Sequence, residues 1–79
     1  MQTIFIQVKC ELGKAYLVAD RALQVERISE VHSTSGDYDL LMKCYLPVGE
    51  DIGHYVNEYI QTIEGVRDTF TIIAFKAFN

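Results

Sequence analysis

The chain contains few of the residues and sequence patterns that would indicate a particular chemistry. It contains no tryptophan, one proline and two cysteines among its 79 residues. Seven lysine and arginine residues are scattered among eleven acidic ones, and the net charge is −4. Because nucleic acids are bound largely through their phosphates, we expect no direct nucleic-acid binding by this chain. No apolar run approaches the ~18 residues of a membrane helix, and the N-terminus lacks the basic lead-in of a secretory signal, so we expect no membrane association.

The cysteines and histidines form no pattern that would hold a metal. Cys10 and Cys44 are far apart in the sequence, without a Cys-x-x-Cys pair or a histidine pair at metal spacing. We interpret them as two buried thiols of a protein in a reducing cytoplasm; a redox-active pair is the alternative. His54 is expected to face solvent, and His32 has no evident Ser, Cys or Asp partner that would make it a catalyst. We therefore predict no catalytic residue, no metal and no cofactor.

What the chain does have is regular hydrophobic periodicity. An apolar content of 49% with 23% charged residues is a globular composition, and the length fits one domain, residues 1–79. The predicted elements are a strand at 2–10, a helix at 14–24, strands at 25–34 and 38–46, a helix at 49–63 and a strand at 66–78. This β-α-β-β-α-β order predicts an α+β domain of the ferredoxin-like type, with both helices on one face of a four-stranded antiparallel sheet.

The same patterns predict which side chains form the core. The inward faces of the first and third strands are expected to be Ile4, Ile6, Val8 and Cys10, and Leu40, Met42, Cys44 and Leu46. The helix stripes are expected to be Ala15, Val18, Ala19, Ala22 and Leu23, and Ile52, Tyr55, Val56, Tyr59, Ile60 and Ile63. The second strand breaks strict alternation, which predicts a bulge, and Gly65 stands where a left-handed helix C-cap is expected.

The other face of the sheet is also apolar in the sequence. The side chains predicted on it are Phe5, Leu41, Tyr45, Ile73 and Phe75. A contiguous bare patch of this kind on a small domain marks an interface, and the simplest partner is a second copy related by a two-fold axis. We therefore predict a dimer at least, with two sheets face to face as a dimeric α+β barrel.

A polar turn, residues 35–39, precedes the third strand. Gly36 can adopt a positive φ without strain, and Asp37 and Asp39 can accept hydrogen bonds from nearby backbone amides. These groups also suit a zwitterion: an aspartate accepts from its ammonium, and amides around Gly36 with a threonine hydroxyl donate to its carboxylate. The alternative is structural, in which Asp39 caps the turn and the threonines of the last strand are ordinary strand residues.

Four short segments together resemble a known family. They are Ile28-x-x-Val31, the turn Ser35-Gly36-Asp37-Tyr38-Asp39-Leu40-Leu41, Ile63-Glu64-Gly65-Val66, and Thr69-Phe70-Thr71-Ile72-Ile73. In order and spacing over essentially the whole chain, they are similar to the effector-binding and oligomerisation (RAM) domain of Lrp/AsnC transcriptional regulators. The resemblance implies paired-sheet dimers that assemble into octamers or decamers and bind small effectors, mostly amino acids, between dimers.

The resemblance also implies a set of ligand-binding residues. By position they are Ser33, Gly36, Asp37, Tyr38 and Asp39 around the turn, with Thr69, Thr71 and Ile73 on the last strand of a neighbouring subunit. Full-length members carry a helix-turn-helix domain ahead of this region, whereas this chain begins at the first strand, either as a stand-alone version or as a shortened form of a longer protein. The expected function is effector binding without a DNA-binding domain of its own, with full-length regulators of the family as further partners.

Two other functions remain open from the sequence. One is a cofactor-free oxygenase or isomerase, because such enzymes share the dimeric form of this fold. They need a polar group, often His, Asn or Trp, facing a cavity between helices and sheet. The other is a purely structural oligomerisation domain without a working ligand site.

Overall fold

The domain is built around its first strand. The structure is a computed structural model that describes all 79 residues. Its elements are β1 (Gln2–Cys10), α1 (Ala15–Ala22), β2 (Ile28–Ser33), β3 (Leu40–Leu46), α2 (Ile52–Tyr55), which continues as a π-helical turn (Val56–Ile60), and β4 (Val66–Ala74). The sheet order is β2-β3-β1-β4, and every neighbouring pair is antiparallel. The predicted α+β ferredoxin-like fold is therefore confirmed. No helix in the structure is both long enough and apolar enough to cross a membrane.

The helix-facing side of β1 and β3 forms the core, as alternation predicts. Ile4 pairs with Cys44, Ile6 with Met42 and Val8 with Leu40, and all six side chains are buried. Val18 and Ala22 of α1, with Tyr55, Val56 and Ile60 of the second helix, cover them. The expected bulge in the second strand is present, because the β2–β3 register shifts between Ile28 and Glu30.

Both helices are shorter than their periodicity predicts. The first ends at Ala22, so Leu23, expected in the core stripe, is its C-cap and is exposed. In the second, the backbone N–H of Gln61 donates to the carbonyl of Val56 at 2.9 Å, five residues earlier. A π turn inserts one extra residue, so Ile60 rather than Tyr59 returns to the sheet. Tyr59, also expected in the core, is 49% exposed.

The last strand differs from its prediction in length and in facing. It ends at Ala74, so Phe75 lies beyond the sheet. Ile73 pairs with Ile4 on the helix side, whereas Phe70 and Ile72 pair with Gln7 and Phe5 on the uncovered side. The expectation that Ile73 lies on the uncovered face is therefore wrong, whereas Phe75, beyond the end of the strand, lines a cleft with Phe5 and Tyr45 of that face. Both alternating sets of this strand contain apolar residues, so its period alone does not show which set faces the helices.

The uncovered face has an apolar centre and a charged edge. Phe5, Leu41 and Tyr45 lie on it as predicted, joined by Phe70 and Ile72, which are 53% and 41% exposed. Along the β2–β3 edge, Glu30 lies 3.7 Å from the Lys43 ammonium and 2.9 Å from the His32 ring. His54, in contrast, lies on the outer side of the second helix and is exposed, as expected.

The two cysteines are free and buried, as predicted. Cys44 pairs across the sheet with Ile4, whereas Cys10 is six residues further along β1. At ~3.4 Å per residue their backbones are roughly 20 Å apart, which is too far for a disulfide within the chain. Burial raises the pKa of the Cys44 thiol to about 11, so it stays protonated at neutral pH.

Gly65 is the point where the second helix meets the first. It has a φ of +100°, and a Cβ built there would lie 2.9 Å from Cγ2 of Val18 and 3.1 Å from Cβ of Lys14. Gly36 has an almost identical φ of +101°, but a Cβ there would meet nothing within 4 Å. The two glycines thus share the backbone constraint and differ only in packing.

We predict that Gly65→Ala destabilises the fold by about 2–4 kcal/mol, because left-handed strain and overpacking add. The matched Gly36→Ala change should cost only the strain, about 1–2 kcal/mol. Urea unfolding of both variants measures the difference. Equal losses at the two positions would contradict the packing role of Gly65.

Candidate ligand-binding site

The turn before β3 is held rigidly against the end of β1. The backbone N–H of Asp39 donates to the carbonyl of Val8 at 2.9 Å, and its side-chain Oδ2 accepts from the N–H of Cys10 at 2.7 Å. Its carbonyl accepts from the N–H of Thr34 at 2.9 Å, closing the turn. Thr34 also donates its hydroxyl to the carbonyl of Tyr38 at 3.2 Å. Asp39 is therefore a structural anchor of the turn, with one carboxylate oxygen left over.

Two clefts flank this turn and share two cationic residues. One, of about 450 Å³, lies beside the β1–α1 connection and is lined in part by Lys9, Glu11, Tyr16, Asp39 and Arg67. The other, of about 410 Å³, is lined by Lys9, Asp37, Tyr38, Arg67 and Asp68. Neither Lys9 nor Arg67 forms an ion pair within 4 Å. Unpaired donors and exposed carboxylates thus face the same space.

An aromatic contact connects the turn to the last strand. The rings of Tyr38 and Phe70 are 6.3 Å apart between centroids and tilted by 38°. This spacing is within the range of favourable aromatic pairs. It fixes the half-buried Tyr38 over the β4 edge, while Asp37 at the tip of the turn stays exposed.

The predicted site residues fall into two groups in a single chain. The first group lies together around the turn and consists of Ser33, Gly36, Asp37, Tyr38 and Asp39. On β4, Thr69 pairs with Val8 at the same end of the sheet, and its hydroxyl accepts from the Gln61 amide at 2.8 Å. Thr71 and Ile73 pair with Ile6 and Ile4, which carries them roughly 7 and 14 Å further from the turn. One chain therefore brings Thr69 near the turn but not Thr71 or Ile73.

Lys9 and Arg67 are the site residues that sequence patterns miss. They are far apart in the chain, and neither belongs to a motif. They meet because Lys9 pairs with Asp68 across the β1–β4 ladder, which places Arg67 one residue away. Only the strand register contains that information.

Solved structures share this fold over the whole chain. The structure of TTHA0845 from Thermus thermophilus superposes with a TM-score of 0.90 at 28% identity, covering 100% of this chain and 99% of that one. The NMB0573/L-Met complex from Neisseria meningitidis, a transcriptional regulator, superposes with a TM-score of 0.86 at 18% identity, over 99% of this chain and 52% of that one.

Curated relatives are longer proteins. The transcriptional regulator FL11 of Pyrococcus furiosus is 35% identical over 91% of this chain and 47% of its own length. This chain thus spans about half the length of that relative. A homocitrate synthase of Sulfolobus acidocaldarius is 33% identical over 90% of this chain but only 15% of the enzyme.

Fold and site together define a small α+β ligand-binding domain. The family model for the Lrp/AsnC ligand binding domain matches residues 3–79, and the chain belongs to that family. It is therefore a ligand-binding domain of the kind found in transcriptional regulators.

The anchoring role of Asp39 is separable from ligand contact. Asp39→Ala should destabilise the domain by about 1–3 kcal/mol, because the Cys10 N–H loses its acceptor. Asp37→Ala, two residues away and exposed, should change stability by no more than about 0.5 kcal/mol. Chemical denaturation of the two variants measures both values. Equal stability of both variants would show that the 2.7 Å bond does not hold the turn.

Proposed function

We propose that the chain senses an amino acid or a similar small zwitterion at the turn before β3. The observation that carries the proposal is the convergence of Asp37 with the unpaired Lys9 and Arg67 in one cleft. Asp37 accepts from the ligand ammonium, while Lys9 and Arg67 donate to its carboxylate. A neighbour of the same fold was solved with L-Met, which supports this ligand class.

The proposed site is completed by a second subunit. Thr71 and Ile73 lie further from the turn along β4 of the same chain, so their contribution would come from the β4 strand of a neighbour. Burial of the uncovered face in a homodimer, followed by assembly of dimers into octamers or decamers, supplies such a neighbour. Full-length regulators of the family, which share this domain, are further proposed partners. The homocitrate synthase match supports the idea that a similar domain occurs in proteins of different function.

The proposed function involves no catalysis. His32 is the residue that an enzymatic function would require. Its ring forms a hydrogen bond with Glu30 on the uncovered face. It does not line the clefts beside the turn. A purely structural module is the second candidate, favoured by the way Asp39 is used to anchor the turn.

Effector binding is tested by thermal unfolding against the common amino acids at millimolar concentration. A ligand at one hundred times its Kd adds ~2.7 kcal/mol, and each kcal/mol shifts the Tm of a domain this size by ~4–8 °C. We expect a shift from one or a few amino acids, lost in Asp37→Ala and Arg67→Ala. Lys76→Ala, which removes a cation outside the turn, should retain it. A flat panel would contradict the sensor and favour the structural module.

Self-association is tested by light scattering at micromolar concentration. We expect a mass of at least two 9.0 kDa chains for the unmodified protein. Ile72→Lys, which places a charge opposite Phe5 on the uncovered face, should reduce that mass. Leu23→Lys, on an exposed helix end, is the matched control and should leave it unchanged. A monomeric unmodified protein, or an Ile72→Lys variant that stays assembled, would exclude this interface.

A further inference from the structure

A third cleft lies at the opposite end of the sheet from the turn. It has a volume of about 380 Å³ and separates the α1–β2 connection from the second helix. The residues that line it are Gln24, Val25, Glu26, Arg27, Glu50, Tyr55 and Tyr59. The N–H of Tyr45, near the end of β3, donates to the carbonyl of Arg27 at 3.0 Å, whereas the turn precedes the start of β3 at Leu40. The two sites are thus roughly 15–20 Å apart along the strand.

Arg27, in the wall of this cleft, has an unfavourable backbone conformation. Its φ is +77°, and it is the only residue besides glycine with a positive φ. The chain places glycine at the other four such positions, 13, 36, 49 and 65. A Cβ makes this conformation energetically unfavourable. An interaction of the arginine side chain is therefore expected to explain why this position is not a glycine.

The side chain of Arg27 makes an ion pair with Glu50. Both side chains are 35% exposed, and an ion pair this accessible to solvent contributes little to stability. The pair keeps both groups charged, because the hydrogen bond from Arg27 holds the pKa of the Glu50 carboxyl below its usual range. Stability alone therefore does not explain why a strained position holds arginine.

The pair leaves binding capacity on both partners. The contact with Glu50 uses Nη1 of Arg27 and Oε2 of Glu50, and it is the one hydrogen bond of the Arg27 side chain. The remaining guanidinium N–H groups can donate to a carboxylate, and Oε1 of Glu50 can accept from an ammonium. A neutral pair of adjacent opposite charges is complementary to a ligand that carries both charges side by side.

An aromatic surface adjoins the charged pair. The rings of Tyr55 and Tyr59 are 5.3 Å apart between centroids. The Tyr55 hydroxyl donates to the carbonyl of Glu26 at 2.8 Å, which fixes that ring against the α1–β2 connection. Tyr59 is half exposed because of the π turn, so its ring is available to a flat apolar group.

We propose that this cleft is a second small-molecule site, for a zwitterionic α-amino acid with an aromatic or similarly flat side chain. Its carboxylate binds the free donors of Arg27, its ammonium binds Glu50, and its side chain packs on Tyr59. The site is independent of the turn and needs no residue from a neighbouring subunit.

The test uses TROSY NMR spectra of deuterated, ¹⁵N-labelled protein titrated with L-phenylalanine. We expect saturable shifts of the amides of residues 26–28 and 55–59. Two probes keep the ring but lose one charge: phenethylamine lacks the carboxylate and 3-phenylpropionate lacks the ammonium. Each should bind at least about tenfold more weakly, because one member of the ion pair is then left without its partner.

Arg27→Gly is the decisive variant, because glycine adopts the observed φ without strain and the fold should persist. It should abolish the shifts at 26–28 and 55–59, as should Glu50→Gln, while Asp37→Ala should retain them. Absence of shifts at up to about 10 mM L-phenylalanine, shifts confined to residues 34–39, or unchanged binding in Arg27→Gly would each overturn the proposal. Because Asp37→Ala removes only the site at the turn, failure of one site is distinguishable from failure of the other.

Discussion

The central position of β1 is the constraint on which the rest of the domain depends. It is hydrogen-bonded on both sides, to β3 and to β4, and four of its side chains form the floor of the core. Alternation along this strand decides which residues the helices cover. Its last residues also anchor the turn before β3, through the bonds of Val8 and Cys10 to Asp39. The core and the candidate site therefore both depend on the strand register of β1.

A four-stranded sheet with both helices on one side leaves its other side bare. Here that side has apolar side chains at its centre and the Glu30, His32 and Lys43 cluster at its edge. An apolar centre with a polar rim is the usual arrangement of a protein interface. The same strands thus carry apolar side chains on both faces of the sheet, which is one reason why so small a chain is nearly half apolar.

The two ends of the sheet differ in how their charges are arranged. At the turn, Lys9 and Arg67 have no ion-pair partner and face acids across open clefts. At the other end, Arg27 and Glu50 are paired with each other beside two tyrosines. The first arrangement depends on the β1–β4 register. The second depends on a strained backbone and on the π turn that exposes Tyr59.

The sequence by itself determined the element order, the inward faces of β1 and β3, the bulge in β2 and the turn with its glycine. These features are local, because alternation, turn chemistry and left-handed positions are encoded within a few neighbouring residues. Tertiary structure alone decided which face of β4 meets the helices, where the second helix departs from α-geometry, and that Lys9 and Arg67 meet. Each of these depends on pairing between residues distant in the chain. The facing of Ile73 is the clearest case, since both sets of side chains on β4 are compatible with a core and only the pairing with Ile4 selects one.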